Sequence, residues 1–174
     1  MPNNNADVYL GNPNLKRANV PIEFTKDQIE EYLKCKDDPV YFAENYVKII
    51  NLDEGLVPFD MYPFQRKLIN NFHSSRFNIC KMPRQSGKST TVVSYLLHYA
   101  LFNDSVTIGI LANKAATARD LLGRLQIAYE ALPTWLQQGI IAWNKGSMEL
   151  ENKSKIIAAS TSASAVRGMS FNII

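Results

Sequence analysis

Apolar residues recur at helical spacing in several stretches of the chain, and short apolar runs lie between these stretches. Helical spacing predicts amphipathic helices, and short apolar runs bounded by turn residues predict buried strands. The predicted helices are 27–36, 40–50, 61–72, 88–102 and 114–132. The predicted strands are 77–82, 106–112, 140–143, 147–150 and 154–160, and a further strand begins at 171–174.

The order of these elements indicates an α/β fold. Strand, helix, strand and helix follow one another between residues 77 and 132, which is typical of a parallel sheet with right-handed crossovers. The three short strands after residue 139 are joined by Asn-Lys-Gly and Asn-Lys turns, so we expect a small antiparallel excursion there. The pattern therefore predicts a mainly parallel sheet flanked by helices.

The first part of the chain lacks this alternation. Residues 1–21 are rich in Asn and Pro and show no apolar period, so we predict a flexible N-terminal arm. Residues 22–60 carry the first two predicted helices, and Thr25 and Gln28 form a capping box at the start of the first. We therefore expect a helical N-terminal subdomain over 22–60 and the α/β domain over 61–174.

Length and composition are those of one soluble globular domain with its own core: 174 residues, of which 46% are hydrophobic and 20% charged. The net charge of +3 permits an anionic partner without indicating one. Cys35 and Cys80 are far apart in sequence, which favours neither a disulfide framework nor a zinc site and fits a reducing cytoplasm. Cys80 lies in a predicted buried strand, where we expect a core residue. Neither a signal peptide nor a membrane-spanning run is predicted.

Gly87, Lys88 and Ser89 stand between a predicted strand and a predicted helix. Backbone N–H groups at such a loop and helix start bind phosphate, assisted by the helix dipole. Lys88 would then reach the β- and γ-phosphates, and the hydroxyl of Ser89 would bind Mg²⁺. The usual pattern has a glycine where Met82 stands, so a chance Gly-Lys-Ser at a turn is the alternative. The strand before, the helix after and Arg84 within the loop favour phosphate binding.

Gln65 lies on a predicted helix just upstream of this loop, next to Phe64. Its planar amide carries a donor and an acceptor, as bidentate recognition of the N6/N7 edge of adenine requires. A lone glutamine on a helix is more often part of the solvated surface. The position just before a phosphate loop favours adenine recognition.

Six short motifs follow one another from about residue 10: 14–19, 38–46, 64–66, 84–89, 143–147 and 165–171. Together they closely resemble the large terminase of T-even-type tailed bacteriophages, in its N-terminal ATPase part only. Terminases of that family are ATP-driven motors that move DNA into the procapsid, and their nuclease domain cuts the concatemer. The resemblance implies a P-loop NTPase fold of the RecA/ASCE type, with 61–174 as part of the ATPase domain. A loop without the first glycine is typical of terminases.

The resemblance also implies roles for residues at matching positions. Lys88 and Ser89 match the phosphate and Mg²⁺ residues, and Gln65 with Phe64 match the adenine site. Arg84 matches an arginine thought to act on the γ-phosphate in cis, so Arg84 and Lys88 are the expected catalytic residues. The expected nucleotide-binding residues are Phe64, Gln65, Arg84, Gln85, Ser86, Gly87, Lys88, Ser89 and Thr90.

Two further arginines are candidates for a finger acting in trans or for a sensor. Arg124 lies in a predicted helix where related motors carry a basic residue near a subunit interface; an i,i+4 pair or a surface arginine is the alternative. Arg167 is similar to the arginine of a loop before the family's second acidic motif, and we expect sensing or DNA contact there.

In the family, the strand that begins at 171–174 continues into an Asp-Glu pair, which supports Mg²⁺ and orients the attacking water. This sequence contains neither that pair nor a carboxylate cluster for a two-metal nuclease, so we expect a truncated chain that binds ATP with little turnover. For the parent protein the resemblance implies ATP and Mg²⁺ as cofactors. It also implies double-stranded DNA, the portal protein and the small terminase subunit as partners, a homo-oligomeric ring and the cytoplasm of an infected bacterium.

Two other interpretations stay open. A superfamily-2-like helicase fragment also pairs an upstream glutamine with a phosphate loop, but would continue into a second RecA-like domain. A non-catalytic nucleotide- or partner-binding fragment would bind ATP without turnover.

Overall fold

The computed structural model describes residues 7–51, 53–162, 166 and 168–174. The helices are α1 Lys26–Asp37, α2 Pro39–Tyr46, α3 Pro63–Ser74, α4 Lys88–Phe102 and α5 Ala115–Glu130, with a 3₁₀ turn at Thr134–Leu136. The strands are β1 Val8–Tyr9, β2 Asn12–Lys16, β3 Lys48–Asn51, β4 Gly55–Pro58, β5 Thr107–Ala112, β6 Ile140–Trp143, β7 Ser147–Leu150 and β8 Lys155–Ser160. Helices α1, α4 and α5 and strands β5 to β8 confirm the predictions to within two residues.

The main sheet has four strands in the order β5-β8-β7-β6. β5 and β8 are parallel, from Thr107 opposite Lys155 to Ala112 opposite Ser160, whereas β7 runs antiparallel to both β8 and β6. On the free side of β5, the backbone N–H of Gly109 donates to the carbonyl of Ile173 (2.8 Å). The described sheet is therefore mixed and not mainly parallel, because the predicted antiparallel excursion supplies three of its four strands, β6, β7 and β8, of which only β8 pairs in parallel with β5.

The core lies between this sheet and the helices. α5 packs on β5 and β8, and α4 lies against α5, α2 and α3. Leu122, Leu125 and Tyr129 form the buried stripe of α5, each 0% exposed, at the spacing of one helix face. Burial of each leucine stabilises the fold by roughly 1.5–3 kcal/mol. Among the described residues, no helix is long and apolar enough to cross a bilayer.

The N-terminal segment differs from the flexible arm predicted for 1–21. Residues 7–17 hold the hairpin β1–β2, and Leu15 is buried in the core. The ammonium of Lys16 lies 2.7 Å from a carboxylate oxygen of Glu151, and its backbone N–H donates to the side-chain oxygen of Gln137 (3.0 Å). Contacts with residues more than 120 positions away therefore hold this segment on the domain.

The helix predicted over 40–50 is wrong in its last four residues. α2 ends at Tyr46, and the residues that follow form β3, which pairs with β4 as an antiparallel hairpin. Two adjacent isoleucines, Ile49 and Ile50, favour a strand, and Gly55 takes the positive φ of +77° at the turn.

The buried strand predicted at 77–82 is also wrong. Phe77 and Ile79 are 83% and 99% exposed, and Cys80 is exposed as well. A strand needs a neighbour to bond its backbone, and none of the described strands pairs with this segment. It forms an extended connection into the loop before α4.

Candidate functional site

The loop before α4 leads into a helix start that no side chain of the described residues caps. Gly87, the N-cap residue, has the left-handed conformation (φ 72°, ψ 11°), and Gln85 has a φ of +60°. The first backbone N–H bonded back into the helix is that of Thr91, which donates to the carbonyl of Gly87 (3.0 Å). The preceding N–H groups of the first turn are free for an anion.

The side chain of Lys88 folds back over the loop. Its ammonium donates to the carbonyl oxygens of Met82 (3.0 Å) and Pro83 (2.7 Å). The hydroxyl of Ser86 donates to the same Pro83 carbonyl (3.0 Å). The loop thus curls around one positive charge at the start of α4.

A cavity of about 830 Å³ lies beside this loop. Its walls are the hairpin β3–β4, the first turn of α3 with the residues before it, and loop residues that include Gly87. The rings of Tyr62 and Phe64, on its α3 side, are stacked with centroids 5.7 Å apart and planes 9° apart. A second cavity, of about 650 Å³, lies between residues 19–33 and 135–138 and is lined by none of the predicted site residues.

The side chain of Gln65, in the first turn of α3, packs against the loop before α4. Its side chain is only 3% exposed, so the alternative of a solvated surface glutamine is wrong. Its Oε1 accepts from the backbone N–H of Tyr62 (2.9 Å) at the start of α3. Its Nε2 lies so close to Gly87 that a Cβ added there would be 2.4 Å from it. Residue 87 is therefore glycine for two reasons, its positive φ and this close approach.

The structure brings most of the predicted nucleotide-binding residues together. The cavity is lined by Phe64, Gln65, Gln85, Ser86, Gly87 and Thr90. Ser89 is exposed on the first turn of α4, and Arg84 is exposed in the loop without an ion pair to the described residues.

Arg124 is not brought to the cavity by any described contact. On α5, the Arg124 Nε lies 3.0 Å from the Asp120 carboxylate, which is the i,i+4 pair given above as the alternative. Arg167 lies outside the described residues.

Residues 79–174 match the family described as "Terminase large subunit, T4likevirus-type, N-terminal". The chain belongs to this family. The resemblance inferred from the six motifs is confirmed. The loop, α4 and α5 lie within the matched residues, whereas Gln65, Phe64 and the hairpin β3–β4 precede them.

A solved structure of a large terminase has the same fold. The crystal structure of the HK97 bacteriophage large terminase matches 78% of this chain with a TM-score of 0.63 and 17% sequence identity. The match covers 29% of that chain, so the terminase chain described here spans less than a third of its length. At 17% identity, this likeness shows only that the two proteins share the α/β fold.

Sequence reasoning missed part of the cavity wall. The ring of Tyr62 stacks on that of Phe64, and its backbone N–H donates to Gln65 at the N-cap of α3. The predicted helix placed Tyr62 inside the first turn. The proline at position 63, common in the first turn of a helix, could have marked Tyr62 as the residue before the helix. The hairpin β3–β4 could have been inferred from its isoleucines and Gly55.

Proposed function

We propose that this terminase chain binds ATP with Mg²⁺, as the nucleotide-binding part of a phage DNA-packaging motor with a RecA-like P-loop. One observation carries the proposal. A buried glutamine, Gln65, presents its amide nitrogen beside the left-handed Gly87, where a large cavity meets the uncapped start of a helix.

The start of α4 supplies the phosphate end of the site. The free N–H groups of its first turn and the positive end of the helix dipole favour an anion. Lys88 adds a full positive charge at this place and exchanges the carbonyls of Met82 and Pro83 for phosphate oxygens.

Ser89 fits a role as a Mg²⁺ ligand. Its hydroxyl is exposed on the first turn of α4 and is a hard oxygen ligand, the type that Mg²⁺ takes alongside phosphate oxygens and water. A Mg²⁺ ion held there would supply positive charge to the phosphates during phosphoryl transfer. Ser89 would provide one of its ligands, from the first turn of α4.

The cavity supplies the base end. The stacked rings of Tyr62 and Phe64 offer an apolar face to a flat base, and the amide of Gln65 offers hydrogen-bond donors. Between these two ends lie Gln85, Ser86, Gly87 and Thr90, which also line the cavity.

Arg84 is proposed to stabilise charge on the γ-phosphate. It lies in the loop, is exposed and has no ion pair with the described residues, so its guanidinium is free to move. Arginines in this role contribute roughly 10³–10⁵ in rate in related phosphoryl-transfer enzymes. The ion pair of Arg124 with Asp120 favours Arg84 over Arg124 for it.

For the full-length terminase we propose ATP hydrolysis coupled to translocation of double-stranded DNA, with the portal protein and the small terminase subunit as partners. A homo-oligomeric ring in the host cytoplasm follows from the same proposal. Family membership supports this function and makes a helicase fragment the weaker interpretation.

Binding of ATP in the presence of Mg²⁺ tests the proposal by calorimetry on the whole chain. Lys88→Ala removes the loop cation and is expected to weaken binding at least tenfold, because a charge-assisted hydrogen bond to phosphate is worth about 1.5–3 kcal/mol. Lys145→Ala, an exposed lysine in the β6–β7 turn, is the matched control and leaves binding unchanged. Equal affinities for the two variants would contradict the assignment of Lys88.

Phosphate release, measured separately on the same preparations, decides what the bound nucleotide does. We predict little turnover by this chain alone. Binding without turnover supports a nucleotide-binding role for this chain, and rapid turnover that Lys88→Ala abolishes makes the chain an ATPase in its own right.

A further inference from the structure

An ion pair joins the end of α2 to the start of α3. The guanidinium Nε of Arg66 contacts the Oε1 of Glu44. The side chains of Arg66 and Glu44 are 48% and 32% exposed, whereas the Oε1 atom itself is buried. This ion pair is the only polar contact of that oxygen among the described residues. Because a buried charge without a partner costs free energy, the pair favours one position of α3 against α2.

Most of the wall of the nucleotide cavity lies between these two residues in the sequence. The cavity is lined by residues within 49–65 on one side and within 85–90 on the other. Glu44 lies just before the first of these segments, and Arg66 lies directly after it. The ion pair therefore closes the chain segment that carries the hairpin β3–β4 and the first turn of α3. Neither Glu44 nor Arg66 is among the described residues that line the cavity.

The phosphate end of the proposed site lies outside this segment. It is formed by Lys88 and the uncapped start of α4. The Lys88 ammonium is bound within its own loop, to the carbonyl oxygens of Met82 and Pro83. Loss of the ion pair between α2 and α3 would therefore loosen the base end of the cavity and leave the phosphate end in place. A general loss of stability would affect both ends.

We propose that Glu44 is a positioning residue for the base end of the nucleotide site and acts through Arg66. This inference rests on the nucleotide site proposed above. The pair holds α2 against α3, and so fixes the separation between the hairpin β3–β4 and the ring of Phe64 before a nucleotide binds. A wall that is already formed raises affinity because less conformational freedom is lost on binding.

Two ligands with Mg²⁺, ATP and tripolyphosphate, test the proposal on the whole chain. Tripolyphosphate carries the phosphate chain without a base and is measured by competition at millimolar concentration. Glu44→Gln keeps the size of the side chain and an acceptor oxygen but removes the charge. The variant is expected to bind ATP about three- to fivefold more weakly, the fold-change that a part-exposed ion pair produces. Its affinity for tripolyphosphate is expected to stay within about twofold of that of the unmodified chain.

A double-mutant cycle tests whether Glu44 acts through Arg66. Arg66→Gln is expected to weaken ATP binding at least as much as Glu44→Gln, because it leaves the buried Oε1 charged and without a partner. The double variant is expected to bind ATP no more weakly than Glu44→Gln, since the two changes remove the same interaction. The cycle decides the same point where tripolyphosphate competes too weakly to measure.

Glu149→Gln is the matched control. It removes the charge from a similarly exposed pair with Lys155 on the main sheet, away from the cavity, and is expected to leave both affinities unchanged.

The outcomes separate this inference from the function on which it rests. Absence of binding of both ligands by the unmodified chain overturns the proposed function. Unchanged ATP affinity in Glu44→Gln overturns the inference alone, and so does equal weakening of both ligands. Additive losses in the double variant overturn the role of Arg66 as the group through which Glu44 acts. Tripolyphosphate binding as tight as that of ATP would leave no base end to position and overturns the inference as well.

Discussion

One buried side chain, His98, makes the stability of this fold depend on pH. It is 2% exposed on α4, and its Nε2 lies 2.8 Å from the carbonyl oxygen of Cys35, so Nε2 carries the hydrogen. Its Nδ1 has no partner among the described residues. Burial lowers the pKa of His98 from 6.5 to about 4, assisted by the nearby His73, and the carbonyl of Cys35 and the charge of Asp38 oppose the shift.

We predict that the free energy of unfolding falls as pH drops from about 6.5 to 4. In this window His98 is protonated in the unfolded chain and neutral in the folded chain, because the pKa of His98 is lower in the folded state. The loss is on the order of 3 kcal/mol and is complete below the folded pKa. Urea unfolding at several pH values measures it.

His98→Gln is the control for this prediction, since it retains a donor for the Cys35 carbonyl and does not titrate. The variant is expected to lose the slope between pH 6.5 and 4. The Lys34 ammonium and the hydroxyls of Tyr41 and Tyr46 lower the pKa of Glu31 to about 2, so its effect appears only as the pH falls below about 4.5. An unchanged slope in His98→Gln would exclude His98 as the cause.

Gly87→Ala tests the close approach of the loop to Gln65. The new Cβ would lie 2.4 Å from the Gln65 Nε2, and alanine would have to adopt the φ of +72° that Gly87 has, so the loop must shift. We expect a loss of roughly 1–3 kcal/mol in the free energy of unfolding, from the strained φ, and weaker nucleotide binding.

Gly123→Ala on α5 is the matched glycine change. Nothing lies within 4 Å of its added Cβ, and its φ is not positive. Alanine there is expected to stabilise the helix by about 0.5–1 kcal/mol and leave binding unchanged. Equal effects of the two substitutions on thermal unfolding would argue against a special role for residue 87.

At the scale of elements, Glu151 holds the hairpin β1–β2 on the domain. Its carboxylate accepts from the Lys16 ammonium (2.7 Å) and from the backbone N–H groups of Gly139 (2.6 Å) and Asn19 (3.0 Å). Partial burial raises the pKa of Glu151, and these donors outweigh that effect, so the pKa lies below its ordinary value.

Glu151→Ala is expected to lower the free energy of unfolding by about 2–4 kcal/mol, because Lys16 is left buried without its partner. Hydrogen exchange in β2 reports release of the hairpin. Glu149→Ala, which removes an exposed pair with Lys155 at 3.9 Å, is the control and costs at most about 1 kcal/mol. A stable hairpin in Glu151→Ala would show that burial of Leu15 and the hydrogen bonds to Gln137 suffice to hold it.

These elements also show what sequence can predict here. Helix α1 was predictable because Thr25 and Gln28 close a capping box, and α5 because its buried residues keep a helical period. Docking of residues 7–17 was not, because its partners lie more than 120 residues away and no local pattern encodes them. Local apolar character predicted a buried strand at 77–82, but burial depends on a neighbouring strand that no local pattern supplies.

At the scale of the whole molecule, the site joins two parts of the chain with different signals. The loop and α4 were predictable from Gly87-Lys88-Ser89 and lie in the residues that match the terminase family. The cavity wall comes from the hairpin β3–β4 and the residues around Tyr62, which precede the match. The sequence predicted Gln65 as a site residue from its position. Only the structure shows that its Oε1 accepts a hydrogen bond from the Tyr62 N–H.

The position of the Lys88 side chain, folded back over the loop before α4, has a consequence for binding kinetics. Its ammonium is bound to two carbonyl oxygens, so at the proposed site a phosphate would replace existing hydrogen bonds and would not meet a bare charge. If the proposed site is correct, these hydrogen bonds must break before or during nucleotide binding, and we expect an association rate constant below the diffusion limit. Small inorganic anions have no base for the cavity and would gain little from the same exchange, so we expect them to compete poorly with nucleotide.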